Sequence, residues 1–279
     1  MKINLFHVFI FLFMAISTNS NAQSFKKGDV NQDGRVDISD VVAVINIIAN
    51  GGGDEIFFVN GVSFTMVHVE GGTFQMGSED SESLSDEQPV HQVTLSTFSI
   101  GQTEVTQELW EAVMGTNPSY FKGAKLPVEQ VSWYDCQTFF SKLNSMTGQQ
   151  FRLPTEAEWE YVARGGSRSK GYKYSGSNNI GDVAWYDSNS GNTTHEVATK
   201  APNELGVYDM SGNVWEMCHD WFGSYRSSSQ TNPVGPSSGT YRVRRGGGWN
   251  TYAKDLPVTR RFISAPDYSG YFLGLRLAL

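Results

Sequence analysis

The residues that first suggest chemistry are Asp29-Val30-Asn31-Gln32-Asp33-Gly34-Arg35-Val36-Asp37-Ile38-Ser39-Asp40. Side-chain oxygens fall at positions 1, 3, 5, 9 and 12 of a twelve-residue calcium loop, on Asp29, Asn31, Asp33, Asp37 and Asp40. Arg35, at position 7, offers its backbone carbonyl, and Gly34 stands where the sharp turn needs a positive φ. Such loops usually close on a glutamate that binds with both oxygens; Asp40 is shorter. In His68-Val69-Glu70, His68 and Glu70 would share one face of a strand as half of an iron site, with His91, His195 or His219 as a distant third ligand. Matches that short arise often by chance. Gly235-Pro236-Ser237-Ser238-Gly239 matches a hydrolase motif, but no strand precedes it and no helix follows it, so it reads as loop.

Two cysteines, Cys136 and Cys218, are too few for a disulfide-dependent scaffold. Cys136 shares an apolar helical stripe with Phe139, Phe140 and Leu143 and reads as a buried thiol. A bond to Cys218 stays open, because spacing does not test its geometry.

These residues need elements to hold them. Phe64–Val69 and Val93–Ile100 read as strands. One helix starts near Thr106 and stops at Gly115; a second carries Cys136 and ends before Gly148. A third opens on a Thr155/Glu158 capping box and closes at Gly165-Gly166. Beyond Gly166, glycine, serine and asparagine dominate, and four of the seven tryptophans anchor loops and short strands. The triple glycine Gly51-Gly52-Gly53 separates a small module, 23–53, from a large domain, 57–279.

The net charge of −8 and the lack of a basic stripe exclude a nucleic-acid partner. Residues 1–22 read as an export signal: Lys2, an apolar run from Leu5 to Ile16, then Ser20-Asn21-Ala22 before Gln23. That run is shorter than the roughly 20 residues that span a bilayer, so no membrane span is expected after cleavage. The protein is expected in the periplasm, on the cell surface or outside the cell.

The calcium loop, followed by the apolar stretch 41–49, resembles one dockerin-type repeat. Dockerins carry two, so residues 29–49 either meet a cohesin-like partner or form a calcium-stiffened linker packed on the large domain. The large domain resembles the formylglycine-generating enzyme (sulfatase-modifying factor) family. Six ordered blocks carry the resemblance: Val69–Ser78, Glu104-Val105-Thr106, Pro127–Trp133, Arg152–Glu160, Asn203–Glu216 and Arg245–Trp249 with Gly274-Leu275-Arg276. It implies an α+β class: an irregular fold with a C-type-lectin-like core, here joined to a small EF-hand-like helical module.

Active members of that family oxidise a sulfatase cysteine with two cysteines and copper. Here the matching positions are degenerate: Gly248 replaces the serine, and Thr251 and Leu256 replace the cysteines. Copper is therefore not expected, and no catalytic residue is assigned. The resemblance also implies a calcium site from Asp209, Gly212, Val214 and Glu216, the second of two expected here. Alternatively, Asp209 caps a turn and Glu216 pairs with an arginine such as Arg245. Some family members are diversified ligand-binding proteins whose variable segment matches residues 249–273. Trp215, Trp249, Tyr252, Arg261, Phe262, Tyr268 and Tyr271 are accordingly expected to meet a protein or glycan ligand, although about half the rings of the segment should be core. A secreted, non-catalytic binding protein is the leading reading; a metal-dependent oxidase with a non-standard site and a dockerin-mediated scaffold are the rivals.

Overall fold

A computed structural model of the chain describes residues 53–279. The leader, the 29–40 loop and the apolar stretch 41–49 lie outside the described residues. Strands β1 (Glu55–Val59) and β2 (Val62–Val69) form a hairpin through Asn60-Gly61. Both turn residues have positive φ, 49° and 84°, as a two-residue turn matched to strand twist requires. β3 (Gly72–Met76) pairs with β4 (His91–Leu95), while β5 (Phe98–Gly101) returns to β2.

The single strand expected over Val93–Ile100 is thus two strands in different sheets. The reason is a slip in phase: Val93 and Leu95 point inward, and after Ser96-Thr97 the buried positions become Phe98 and Ile100. The remaining strands are β6 (Trp215–Trp221), β7 (Gln230–Thr231), β8 (Arg242–Arg245), β9 (Phe262–Ser264) and β10 (Leu273–Gly274). Three sheets result, in the orders β1-β2-β5, β3-β4-β7 and β10-β6-β8-β9.

Helix α1 (Gln107–Met114) is capped by Thr106 and ended by Gly115 in the left-handed region. Helix α2 (Trp133–Thr147) starts on a Ser132/Asp135 capping box and ends at Gly148. Helix α3 (Glu156–Ala163) starts on the Thr155/Glu158 box and has every residue buried. A short α4 (Ile180–Val183) follows. The Cys136 stripe of α2 packs with Phe151, Trp215, Met217 and Leu273, whereas α3 packs with Val67, Val93, Cys218 and Val243. Both cysteines are free and buried, and burial pushes both thiols up. Among the described residues, no helix is long and apolar enough to cross a membrane.

Candidate functional site

β8 ends at Arg245 and runs into Gly246 and Gly247, with φ of 90° and 80°. A side chain at Gly247 would lie 2.9 Å from Leu256 Cγ and 3.4 Å from Thr251 Cγ2. Thr251 and Leu256 therefore crowd the same turn. The Gly248 N–H donates to Thr251 Oγ1 at 2.9 Å, so that hydroxyl is an internal turn fastener. Leu256 is 1% exposed in a small cluster with Tyr174, Val183 and Ala184. The two free thiols sit elsewhere, on α2 and β6.

Arg245 holds this turn from beneath. It is fully buried, pairs with Glu160 and donates to the carbonyl of Thr259 at 2.8 Å. Glu160 also accepts from the Gly77 N–H and from Arg164, both at 2.9 Å.

The 209–216 turn lies against a second buried charge cluster. Asp209 accepts from the Ala198 N–H at 2.8 Å, and Glu216 accepts from Trp159 Nε1 at 2.7 Å and Arg276 Nη2 at 2.6 Å. The partner of Glu216 is thus Arg276, not the Arg245 suggested by sequence. Those two residues oppose each other across β6 and β8, yet Arg245 turns to Glu160. Glu104 joins the cluster, accepting from Asn213 Nδ2 at 2.6 Å and the Val214 N–H at 3.0 Å. Burial, then the charges of Asp209 and Glu216, push Glu104 well above the usual carboxylate range. Burial likewise pushes Asp209 up to about 6. Among the described residues, no three His, Cys, Asp or Glu side chains converge as a metal site. A cation held here would depend on the carbonyls of Gly212 and Val214. Both oxygens of Glu216 are taken by Arg276 and Trp159, so an oxygen-only donor set for a hard cation would need them to be shared.

The residues expected to face a ligand divide. Tyr252, Tyr268 and Tyr271 are exposed, and Phe262 is half-buried. Trp215 and Trp249 are core: Trp215 packs edge-on against Phe262, and Trp249 donates to the Tyr271 carbonyl at 3.0 Å. Arg261 is also internal, at 3% exposure. Its guanidinium grips Glu156 at 2.6 and 2.7 Å and stacks on Tyr225, because Glu156, buried at the start of α3, needs a counter-charge. Sequence reasoning missed Tyr120, which is 67% exposed and extends the tyrosine surface, its ring 6.1 Å from Tyr271. Its one sequence signal is the Tyr120-Phe121 doublet, which mirrors Tyr271-Phe272.

The sequence profile of the sulfatase-modifying factor enzyme 1-like domain matches residues 62–279. The chain belongs to that family. The formylglycine-generating enzyme of Thermomonospora curvata is 29% identical over 286 residues, covering 76% of this chain and 92% of that one. Chaperone protein LppX of Paenibacillus barcinonensis is 39% identical over 238 residues, 67% of this chain and 79% of LppX. The solved structure of Treponema denticola variable protein 1 superposes with a TM-score of 0.76 at 38% identity, over 81% of this chain and 98% of its own. The mixed α+β architecture, mostly sheet with few helices, is therefore that of the sulfatase-modifying factor family.

Proposed function

We propose that this chain is an exported binding protein of the sulfatase-modifying factor family that does not make formylglycine. The observation that carries the reading is the filled turn at 245–256. Leu256 is packed in hydrocarbon and Thr251 is bonded to the backbone, where the resembling enzymes need two thiols. A threonine hydroxyl stays protonated near neutral pH and leucine has no lone pair, so neither can hold copper or form a disulfide with a substrate. The C-type-lectin-like core would then serve as a rigid mount for Tyr120, Tyr252, Tyr268 and Tyr271, which offer large contact area at little entropic cost. A structural neighbour described as a variable protein and a relative described as a chaperone protein support recognition rather than chemistry.

The reading includes export through residues 1–22 and calcium at two places, the 29–40 loop and the 209–216 turn. Residues 29–49 add either a cohesin-like contact or a stiff linker. The test is to incubate the protein with copper, reductant and a Cys-x-Pro-x-Arg peptide and to weigh the peptide. No thiol-to-aldehyde mass change above a metal-only control is expected; such a change would restore the oxidase reading.

A further inference from the structure

β6 ends beside a cavity of about 280 Å³ that no residue of the 245–256 turn lines. Its walls come from β4, the start of α3, the end of β6 and the loops before and after β7, with His91, Ala157, Trp221, Tyr225 and Pro236 among them. The loop after β7 carries the Gly235–Gly239 stretch, and Gly235 has a φ of 73°. A side chain there would lie 2.8 Å from Asp220 Cβ and 3.0 Å from its Oδ1. Glycine is what lets this loop close over the aspartate. The exposed tyrosines Tyr120, Tyr252, Tyr268 and Tyr271 do not line the cavity.

Two buried side chains each leave one polar atom unpartnered in this space. Asp220, 4% exposed, accepts the Glu156 N–H on Oδ2 at 2.9 Å, and its Oδ1 takes no hydrogen bond among the described residues. His91, 3% exposed, meets the Pro89 carbonyl through Nδ1 at 3.0 Å. A carbonyl only accepts, so Nδ1 carries the proton and Nε2 keeps a lone pair without a partner among the described residues. Neither atom is covered over by protein. The neighbouring cations are committed elsewhere. Arg261 grips Glu156, Arg152 grips Glu158 and Arg245 takes Glu160. Arg242, held between the rings of Trp133 and Trp221, donates to the His219 carbonyl. The Tyr225 hydroxyl is turned to Glu156 at 3.4 Å, and Arg226 is exposed, where water screens its charge. Asp220 thus has no ion-pair partner among the described residues. A buried carboxyl in that position keeps a proton or takes a cation.

We propose that this cavity binds the primary ammonium group of an aliphatic amine, whose N–H groups donate to Asp220 Oδ1 and His91 Nε2 while its stem lies along Met76, Trp221 and Pro236. Both open atoms are acceptors, and an ammonium brings three donors with the charge that Asp220 lacks. A metal ion is the poorer complement, because no three His, Cys, Asp or Glu side chains converge as a metal site among the described residues. Burial, then the charge of Glu156, push Asp220 up to about 8, so near neutrality it holds a proton. Binding therefore exchanges one proton, released to solvent, for one ammonium. This site lies apart from the tyrosine surface, so its failure leaves the binding-protein reading as it stands.

The test titrates the full chain by calorimetry with three probes that share a pentyl stem: pentylammonium, pentyltrimethylammonium and pentanol. At pH 7 pentylammonium should bind about tenfold tighter than either other probe. The quaternary ion has no N–H to donate, and the alcohol has one donor and no charge. Pentylammonium affinity should rise about tenfold from pH 6 to pH 7, because Asp220 must ionise while the amine, with a pKa of about 10.4 like lysine, stays charged. Titrations in two buffers of different ionisation enthalpy should show nearly one proton released per ligand. Asp220→Asn, at an unchanged melting temperature, should remove the pH dependence and weaken pentylammonium about tenfold or more. The order of the probes and the proton release need no variant, so they decide the matter even where the variant folds poorly. No binding, equal binding of the three probes, pentanol as the tightest probe, binding without proton release, or full affinity in a folded Asp220→Asn protein overturns the proposal.

Discussion

Two buried charge clusters meet at Trp159 beside the Glu216–Arg245 pair of β6 and β8, and they are balanced differently. In the first, Glu156 and Glu160 meet Arg245, Arg261 and the partly exposed Arg164. Burial would raise Glu156, but Arg261 and then Arg245 outweigh it and hold that carboxyl below its usual range. A third acid there, Asp220, is pushed up to about 8 by burial and then by the charge of Glu156, so it keeps its proton near neutrality. In the second cluster, Glu104, Asp209 and Glu216 share one buried guanidinium, Arg276. Trp159 touches both clusters, its ring 5.2 Å from Arg245 and its Nε1 on Glu216. The first cluster closes on its own charges and acts as a fastener. The second has anionic surplus that only protons or an added cation can offset.

The comparison is tested most severely at Glu160. Glu160→Gln removes the nearer counter-charge of fully buried Arg245, leaving only Glu156 at 3.7 Å from its Nε, and should cost about 3–5 kcal/mol in chemical denaturation. A loss below about 1 kcal/mol would mean that Glu156 alone suffices for Arg245, and the first cluster would no longer count as closely balanced. The next effect is calcium at the second cluster, read in the full chain carrying Asp29→Ala and Asp33→Ala so that the 29–40 loop is silent. A calcium excess of a hundredfold over the dissociation constant should raise stability by about 2.7 kcal/mol over the chelated protein. An unchanged melting curve would assign the surplus to protons.

Asp220 supplies a pH test on the balanced side. Its folded value, about 8, lies above its ordinary 3.8. Stability from this group is therefore complete below about pH 4 and is lost as pH rises through about 8, because only the unfolded state ionises freely in between. One proton sets a slope of at most about 1.4 kcal/mol per pH unit. Asp220→Asn should flatten stability between pH 5 and pH 8, measured by denaturant midpoints. An equally steep decline in the variant would place the titration on another group.

Much of this arrangement was legible in sequence, for identifiable reasons. Local signals carried the helices: Thr106 and Thr155 cap two of them, and Gly115 and Gly148 end two, because capping chemistry acts within one turn. Gly248, Thr251 and Leu256 share one turn, as their closeness in sequence suggests. Long-range pairings were not. Glu104 lies 109 residues from Asn213, and Arg261 lies 105 from Glu156. Nothing local says that Arg276 rather than Arg245 holds Glu216, or that Arg261 faces inward. The alternation that sent Arg242 and Arg244 to one face and Arg245 to the other was present in the chain, but its meaning depended on which rings lay across the sheet.

The smallest expected effect is the sharpest contrast, because it repeats the Glu→Gln substitution on the surplus side. Glu104 is buried, and both of its oxygens accept from the 213–214 backbone and side chain. Burial and two neighbouring carboxylates disfavour its charged form, so a neutral amide resembles the state the fold already prefers. One accepting oxygen is lost, which costs on the order of 1 kcal/mol, and the relief of repulsion on Asp209 and Glu216 works in the opposite direction. In chelated protein, Glu104→Gln should therefore change stability by about 1 kcal/mol or less, against several for Glu160→Gln. Denaturation of the two variants side by side reads the difference directly. If Glu104→Gln is as damaging as Glu160→Gln, then Glu104 is ionised in the folded chain. In that case a proton on Glu104 is not what offsets the surplus, and Arg276 is serving more than one carboxylate.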